Sequence, residues 1–244
     1  MIQQQNNFTS SYEQNIQTGT LAKTFMSRVF AWMFLALAVT TLVSFSFASS
    51  ADLMGLIYNM ETGSMSILGW VVTFAPLAFV LLISFKFNSL SRNTLLFLFI
   101  SFAILMGMSL SSILLVYTSA SVFTTFMVTA GTFGIMALVG YTTKTDLTKF
   151  GSILMMGLVG IILASIVNMF LGNATMDYVI SILGVLIFTG LTAYDVQKLK
   201  KVGMAIGPYQ GLNADKMAIV GALTLYLDFI NLFLFLLRFL GDRR

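Results

Sequence analysis

The stretch LTLYLDFINLFLFLLRFL, Leu223–Leu240, is apolar along almost its whole length and long enough to cross a bilayer, yet it carries Asp228 near its middle. A helix needs about 20 mostly apolar residues to span roughly 30 Å of hydrocarbon. A charged carboxylate at that depth costs roughly 2.5–3.5 kcal/mol on insertion scales. Asp228 must therefore be protonated, paired or wet.

Composition extends that reading to the whole chain. Of 244 residues, 58% are hydrophobic and 9% charged, and the mean hydropathy is +0.93. Ordinary soluble domains are about 25% charged, so this is an all-α polytopic membrane protein whose partner is the lipid bilayer. The net charge of +4 concerns topology and not a nucleic-acid partner, because cytoplasmic loops collect Lys and Arg. Cysteine and histidine are absent, which excludes disulfides, thiolate nucleophiles, imidazole metal ligands and Ser/His or Cys/His catalytic pairs. The chain is expected to be neither an enzyme nor the holder of a cofactor, and to be a monomer.

Residues 1–22 are polar and rich in Gln, Asn, Ser and Thr, the composition of a flexible tail. Residues 23–244 form the membrane domain. Within it, apolar runs near 26–49, 66–86, 94–116, 121–142, 150–171, 177–197 and 217–239 give seven spans. Small residues at Ala48–Ala51 invite comparison with a cleaved leader, but the apolar region is too long and the polar front too extended, so an uncleaved anchor is expected. Lys23, Arg28, Lys86, Arg92, Lys144, Lys149, Lys198, Lys200, Lys201 and Lys216 fall on one side; the connection holding Asp52 and Glu61 has no basic residue. Only Arg238, Arg243 and Arg244 fall on the other side. The positive-inside rule then puts the N-terminus in the cytoplasm and the C-terminus outside, with a re-entrant last segment as the variant that the terminal GDRR keeps open.

Two stripes of small residues, Ala103/Gly107/Ser111 and Gly160/Ala164/Asn168, recur at four-residue spacing and predict close helix packing. Asn168 is expected to point inward, since an amide facing lipid is unsatisfied. Pro76 predicts a kink in the second span.

Apart from Asp177 at the very edge of its run, the spans hold two carboxylates, Asp195 in GLTAYDVQKLKK and Asp228 in LYLDFINLF. Asp195 stands about one turn from the basic end, where it could simply answer Lys198. Asp228 is too deep for that, and Asn231, three residues on, shares its face and could hydrogen-bond it. If the two acids meet, they cannot both ionise cheaply, so they share a proton and titrate as one unit near physiological pH. Doubly ionised, the pair becomes a weak hard-oxygen site for a divalent cation such as Ca²⁺, with carbonyls, Asn231 and tyrosines as further oxygens. Weak binding suits conduction.

AYDVQK (193–198), ALTLYLDFINLFLFLLRFLG (222–241) and FMSRVFAWMFLALAVT (25–40) resemble bacterial members of the Bax inhibitor-1, or transmembrane Bax-inhibitor-motif, family. The resemblance covers about residues 20–244. It implies six helices around a central seventh, location in the bacterial inner membrane, a cytoplasmic N-terminus, and a pH-sensitive Ca²⁺ leak governed by an aspartate pair, here Asp195 and Asp228; the reading of the residues themselves adds Tyr194, Asn231 and Asn168 as supporting polar groups. Some members latch the acids with a basic residue in the second span; Ile67–Phe85 contains none. A second reading is regulatory: some bacterial relatives bind and modulate a membrane-bound ATP-dependent protease, for which the tail is a suitable segment. A third, intramembrane aspartyl proteolysis, is disfavoured because Asp228 follows Leu225-Tyr226-Leu227 instead of the Gly-x-Gly turn of those enzymes.

Overall fold

The computed structural model describes residues 2–59, 64–205 and 212–243, with residues 2–18 and 212 described by backbone alone. Glu61 and Arg244 lie outside the described residues. Eight helices follow in order: α1 (Ile2–Ala48), α2 (Ala51–Ile57), α3 (Ile67–Lys86), α4 (Arg92–Val116), α5 (Ser119–Thr142), α6 (Thr148–Leu171), α7 (Ala174–Ala205) and α8 (Leu212–Leu240). Seven are long and apolar enough to cross a membrane, and they coincide with the seven expected runs. The eighth, α2, has seven residues and is too short to cross. The backbone of α1 continues as helix through the polar N-terminal stretch to Ile2.

Local sequence sets the helix ends. Ser66, Ser91 and Thr118 cap α3, α4 and α5, each side chain accepting a backbone N–H in the first turn, which satisfies donors that a helix otherwise leaves orphaned. α6 stops at Gly172, whose φ of 63° is the left-handed conformation that closes helix C-termini. α3 runs unbroken through Pro76.

Between helices in lipid, close packing and interhelical hydrogen bonds do most of the holding. α8 is the most enclosed span, with 67% of its apolar window buried, and it packs against α1, α4, α5 and α7. α3 packs mainly on α4, and α6 on α7. α6 is the most peripheral, with 11% of its window buried. The stripe Ala103/Gly107/Ser111 is buried, and a Cβ on Gly107 would press on the Thr40 carbonyl of α1 at 2.7 Å. The second stripe differs from expectation. Gly160 faces open space, and α6 meets α7 instead through Gly151, where the Tyr194 ring covers the glycine.

The ends of α8 lie at opposite ends of α4. At its start, Asp215 pairs with Arg28 of α1 at 2.7 Å and with Arg92, at the start of α4, at 3.1 Å. Beyond its last turn, Asp242 accepts from the backbone N–H of Thr118 at 3.1 Å and its own N–H donates to Ser121 Oγ at 2.9 Å, just past the end of α4. With 29 residues, or about 43 Å at 1.5 Å per residue, α8 traverses the bundle fully, and the re-entrant variant is set aside.

Candidate functional site: a paired-carboxylate cavity

Two anchors rotate α7 and α8 so that their acids meet. On α7, Ala193 lies against Gly140 of α5, where a Cβ would strike the Ala193 backbone. Two residues later the helix has turned by about 200°, so Asp195 points away from α5. On α8, Tyr226 is fully buried, and its hydroxyl meets Thr40 Oγ1 of α1 at 2.7 Å. Asp228, again two residues on, points the opposite way, toward α7. Both side chains are buried, and both line the same cavity.

The acids share a cavity of about 620 Å³ between α6, α7 and α8. Tyr194, Asn231, Ser165 and Thr224 also line it. Ser165, Thr224 and Asn231 donate to carbonyls of their own helices, those of Ile161, Val220 and Leu227, at 2.7, 3.2 and 2.8 Å. Asn231 therefore bonds its own backbone and not Asp228. What these three side chains leave for the cavity is chiefly acceptor oxygen. Asp228 Oδ2 is buried without a hydrogen-bond partner. Two ionised carboxylates cannot donate to each other, whereas a proton on either one supplies the missing donor.

No basic side chain lies within 4.0 Å of either acid among the described residues. Lys198, the expected answer to Asp195, forms no close ion pair with it and sits over the Tyr194 ring at 5.9 Å, though its charge acts on Asp195 across the cavity both line. α7 does not end near Asp195: it continues for ten residues beyond it to Ala205, about 15 Å. Asn168 is elsewhere. Its side chain accepts from Asn173 N–H at 3.1 Å and donates to Asp177 at 3.4 Å, and Asp177 in turn pairs with Arg238 at 3.1 Å. That cluster belongs to the opposite end of the bundle from Asp215. The structure thus brings together four of the five sequence-selected residues and leaves Asn168 out. Ser165 and Thr224 carried no sequence signal, since hydroxyls bonding one turn back are common in apolar helices.

Among the described residues no group of three or more His, Cys, Asp or Glu is placed to hold a metal ion. With two carboxylates and a few neutral oxygens, the cavity offers a cation fewer charged ligands than tight calcium loops do. Chemically, it can hold a proton between two carboxylates or present their oxygens to a passing cation.

Residues 22–244 match the family profile described as "Inhibitor of apoptosis-promoting Bax1". The chain is 46% identical to the inner membrane protein YbhL of Escherichia coli K12, over 91% of this chain and 93% of the relative. It is 45% identical to an uncharacterized protein of Borreliella burgdorferi over 90% and 92%. An uncharacterized protein of Rickettsia prowazekii is 39% identical over 96% and 98%.

Proposed function

Since the chain belongs to the Bax inhibitor-1 family, we propose that it is a pH-sensitive calcium leak channel of the bacterial inner membrane, gated by a proton that Asp195 and Asp228 share. Seven membrane-crossing helices and an inner-membrane relative make it an integral inner-membrane protein. The observation that carries the finer reading is the presence of two buried carboxylates on one cavity, with no ion pair within 4.0 Å to either among the described residues and one oxygen without a donor.

In the closed state a single proton bridges α7 and α8. An O–H···O⁻ bond of this kind is short and strong, and it stands in for the basic latch that α3 lacks. Loss of the proton leaves two like charges in a low-dielectric site, which repel each other. The pair then separates or recruits a cation, and Ca²⁺ suits the oxygen-only lining. Proton and calcium compete for the same atoms, so flux depends on pH without a separate sensor. We place the basic end, with Arg28, Arg92, Lys198 and Lys201, in the cytoplasm and the C-terminus outside.

Purified protein in liposomes is expected to pass Ca²⁺ with a pH profile that shifts or disappears in Asp195→Asn and in Asp228→Asn. Flux and profile unchanged in both variants would refute the gate.

A further inference from the structure

We propose that the groove between α6 and α8 is a binding site for an anionic phospholipid, its headgroup held at Lys198 and one acyl chain laid over the Asp195–Asp228 cavity. The site is the cavity of the proposed gate, but the inference does not depend on conduction.

Three independent features define the occupant. First, the cavity is open sideways. α6 packs on α7 and not appreciably on α8, and the rim residues Met155, Ile162 and Ile166 are each about half exposed, so the opening faces hydrocarbon. An apolar, laterally open slot takes a chain from the bilayer more readily than a solute from water. Second, the slot continues toward the basic end. A smaller cavity of about 310 Å³ adjoins it, shares Tyr194 and Lys198 with it, and is also lined by Lys201 and Gln197. From Phe188 to Lys198 the groove follows α7 for about 15 Å, a length suited to an extended acyl chain. Third, the charge is right. Lys198 is exposed and has no carboxylate within 4.0 Å among the described residues; its ammonium lies over the Tyr194 ring. Its neighbour Lys201 is already paired with Asp146 at 2.7 Å. Lys198 is therefore an exposed cation without a close ion pair at the mouth of an apolar slot, a match for a phosphate above a hydrocarbon tail.

The acids stand about one turn along α7 from Lys198, and the proton they share under the proposed gate reduces both the charge that a phosphate at Lys198 meets and the cost of laying a chain over the pair. A chain in the slot excludes water from the acid pair, and its departure admits water.

Native mass spectrometry of the full-length protein, with phosphatidylglycerol and phosphatidylcholine supplied together, tests the site. Wild type is expected to retain phosphatidylglycerol in preference. Lys198→Gln is expected to reduce that preference by about five-fold, the equivalent of roughly 1 kcal/mol for one basic residue near an anionic surface. Ile162→Trp, at a lipid-facing position that tolerates size, is expected to lower retention of both lipids by filling the slot. Lys86→Gln, at the end of α3, is the control and leaves the preference intact. Equal preference in wild type and Lys198→Gln would overturn the headgroup assignment, and undiminished retention in Ile162→Trp would overturn the chain assignment. Displacement of the lipid by inorganic phosphate alone would show that the chain is not required. The readout is bound lipid mass, so its failure is distinguishable from failure of the calcium reading.

Discussion

The tether that orients α8 can be taken apart by a double-mutant cycle at Thr40 and Tyr226. Thr40 has one O–H, and it donates to the Ala103 carbonyl of α4 at 2.9 Å. The 2.7 Å contact with Tyr226 must therefore have the tyrosine as donor. Tyr226→Phe removes that donor and leaves Thr40 bonded to Ala103, so it is expected to cost about 0.5–1.5 kcal/mol, the net value of one hydrogen bond. Thr40→Val is worse. It strands the Tyr226 hydroxyl, which is fully buried, together with one acceptor site on Ala103, and leaving a buried group unsatisfied costs about 1–3 kcal/mol. The double variant lacks the stranded hydroxyl, so the two losses should not add. A coupling of about 0.6–1.7 kcal/mol is expected, the usual to upper range for side-chain hydrogen bonds between membrane helices. The assay is reversible unfolding in mixed micelles for wild type, both single variants and the double. Additive losses would refute an energetically significant Thr40–Tyr226 hydrogen bond and, with it, the claim that Tyr226 fixes the rotation of α8.

Three further outcomes follow from local geometry. Gly140→Ala is expected to destabilise by about 1–3 kcal/mol through overpacking, because the new Cβ meets the Ala193 carbonyl carbon at 2.8 Å; micellar unfolding reads the loss, and a neutral result would show that α5 does not set the angle of α7. Gly160→Leu faces open space and is expected to leave stability within about 0.5 kcal/mol, as at other positions free of special contacts. The hydrogen bonds from Lys201 and Thr148 hold the Asp146 carboxyl down at about 2, below its ordinary 3.8. Since the folded value is the lower one, its contribution is present above 3.8 and lost only as pH falls through about 2. Asp146→Asn should therefore leave any pH profile of calcium flux near neutrality unchanged.

Much of the architecture was legible because bilayer thickness imposes a length that the sequence displays directly. The seven runs needed little more than counting, and Asp195 and Asp228 stood out as carboxylates with no place in hydrocarbon. Other features depend on how the helices are turned against each other. Asn168 and Asn231 were both expected to serve the acids, but one binds the α6–α7 connection and the other its own helix. Gly160 has the same spacing signal as Gly107, yet only Gly107 meets a neighbour, since a small-residue stripe shows that helices can approach but not which ones do. The overshoot of α7 past Asp195 was hidden because Lys198, Lys200 and Lys201 read as the end of a span and are in fact part of a continuing helix. Thr40 and Tyr226 are 186 residues apart, and nothing local marks either one. Asp215 could have been found: it is a carboxylate at the mouth of a span on the side that collects basic residues, where a partner in Arg28 or Arg92 was to be expected.

Infrared titration of the protonated carboxyl band across the neutral range, in wild type, Asp195→Asn and Asp228→Asn, tests most directly whether the two acids act as one unit. The expected result is one protonated carboxyl for the pair in wild type, with the titration of each remaining acid moved when the other becomes asparagine. Two carboxyls that titrate independently, each unaltered by replacement of the other, would contradict the shared proton and remove the gate.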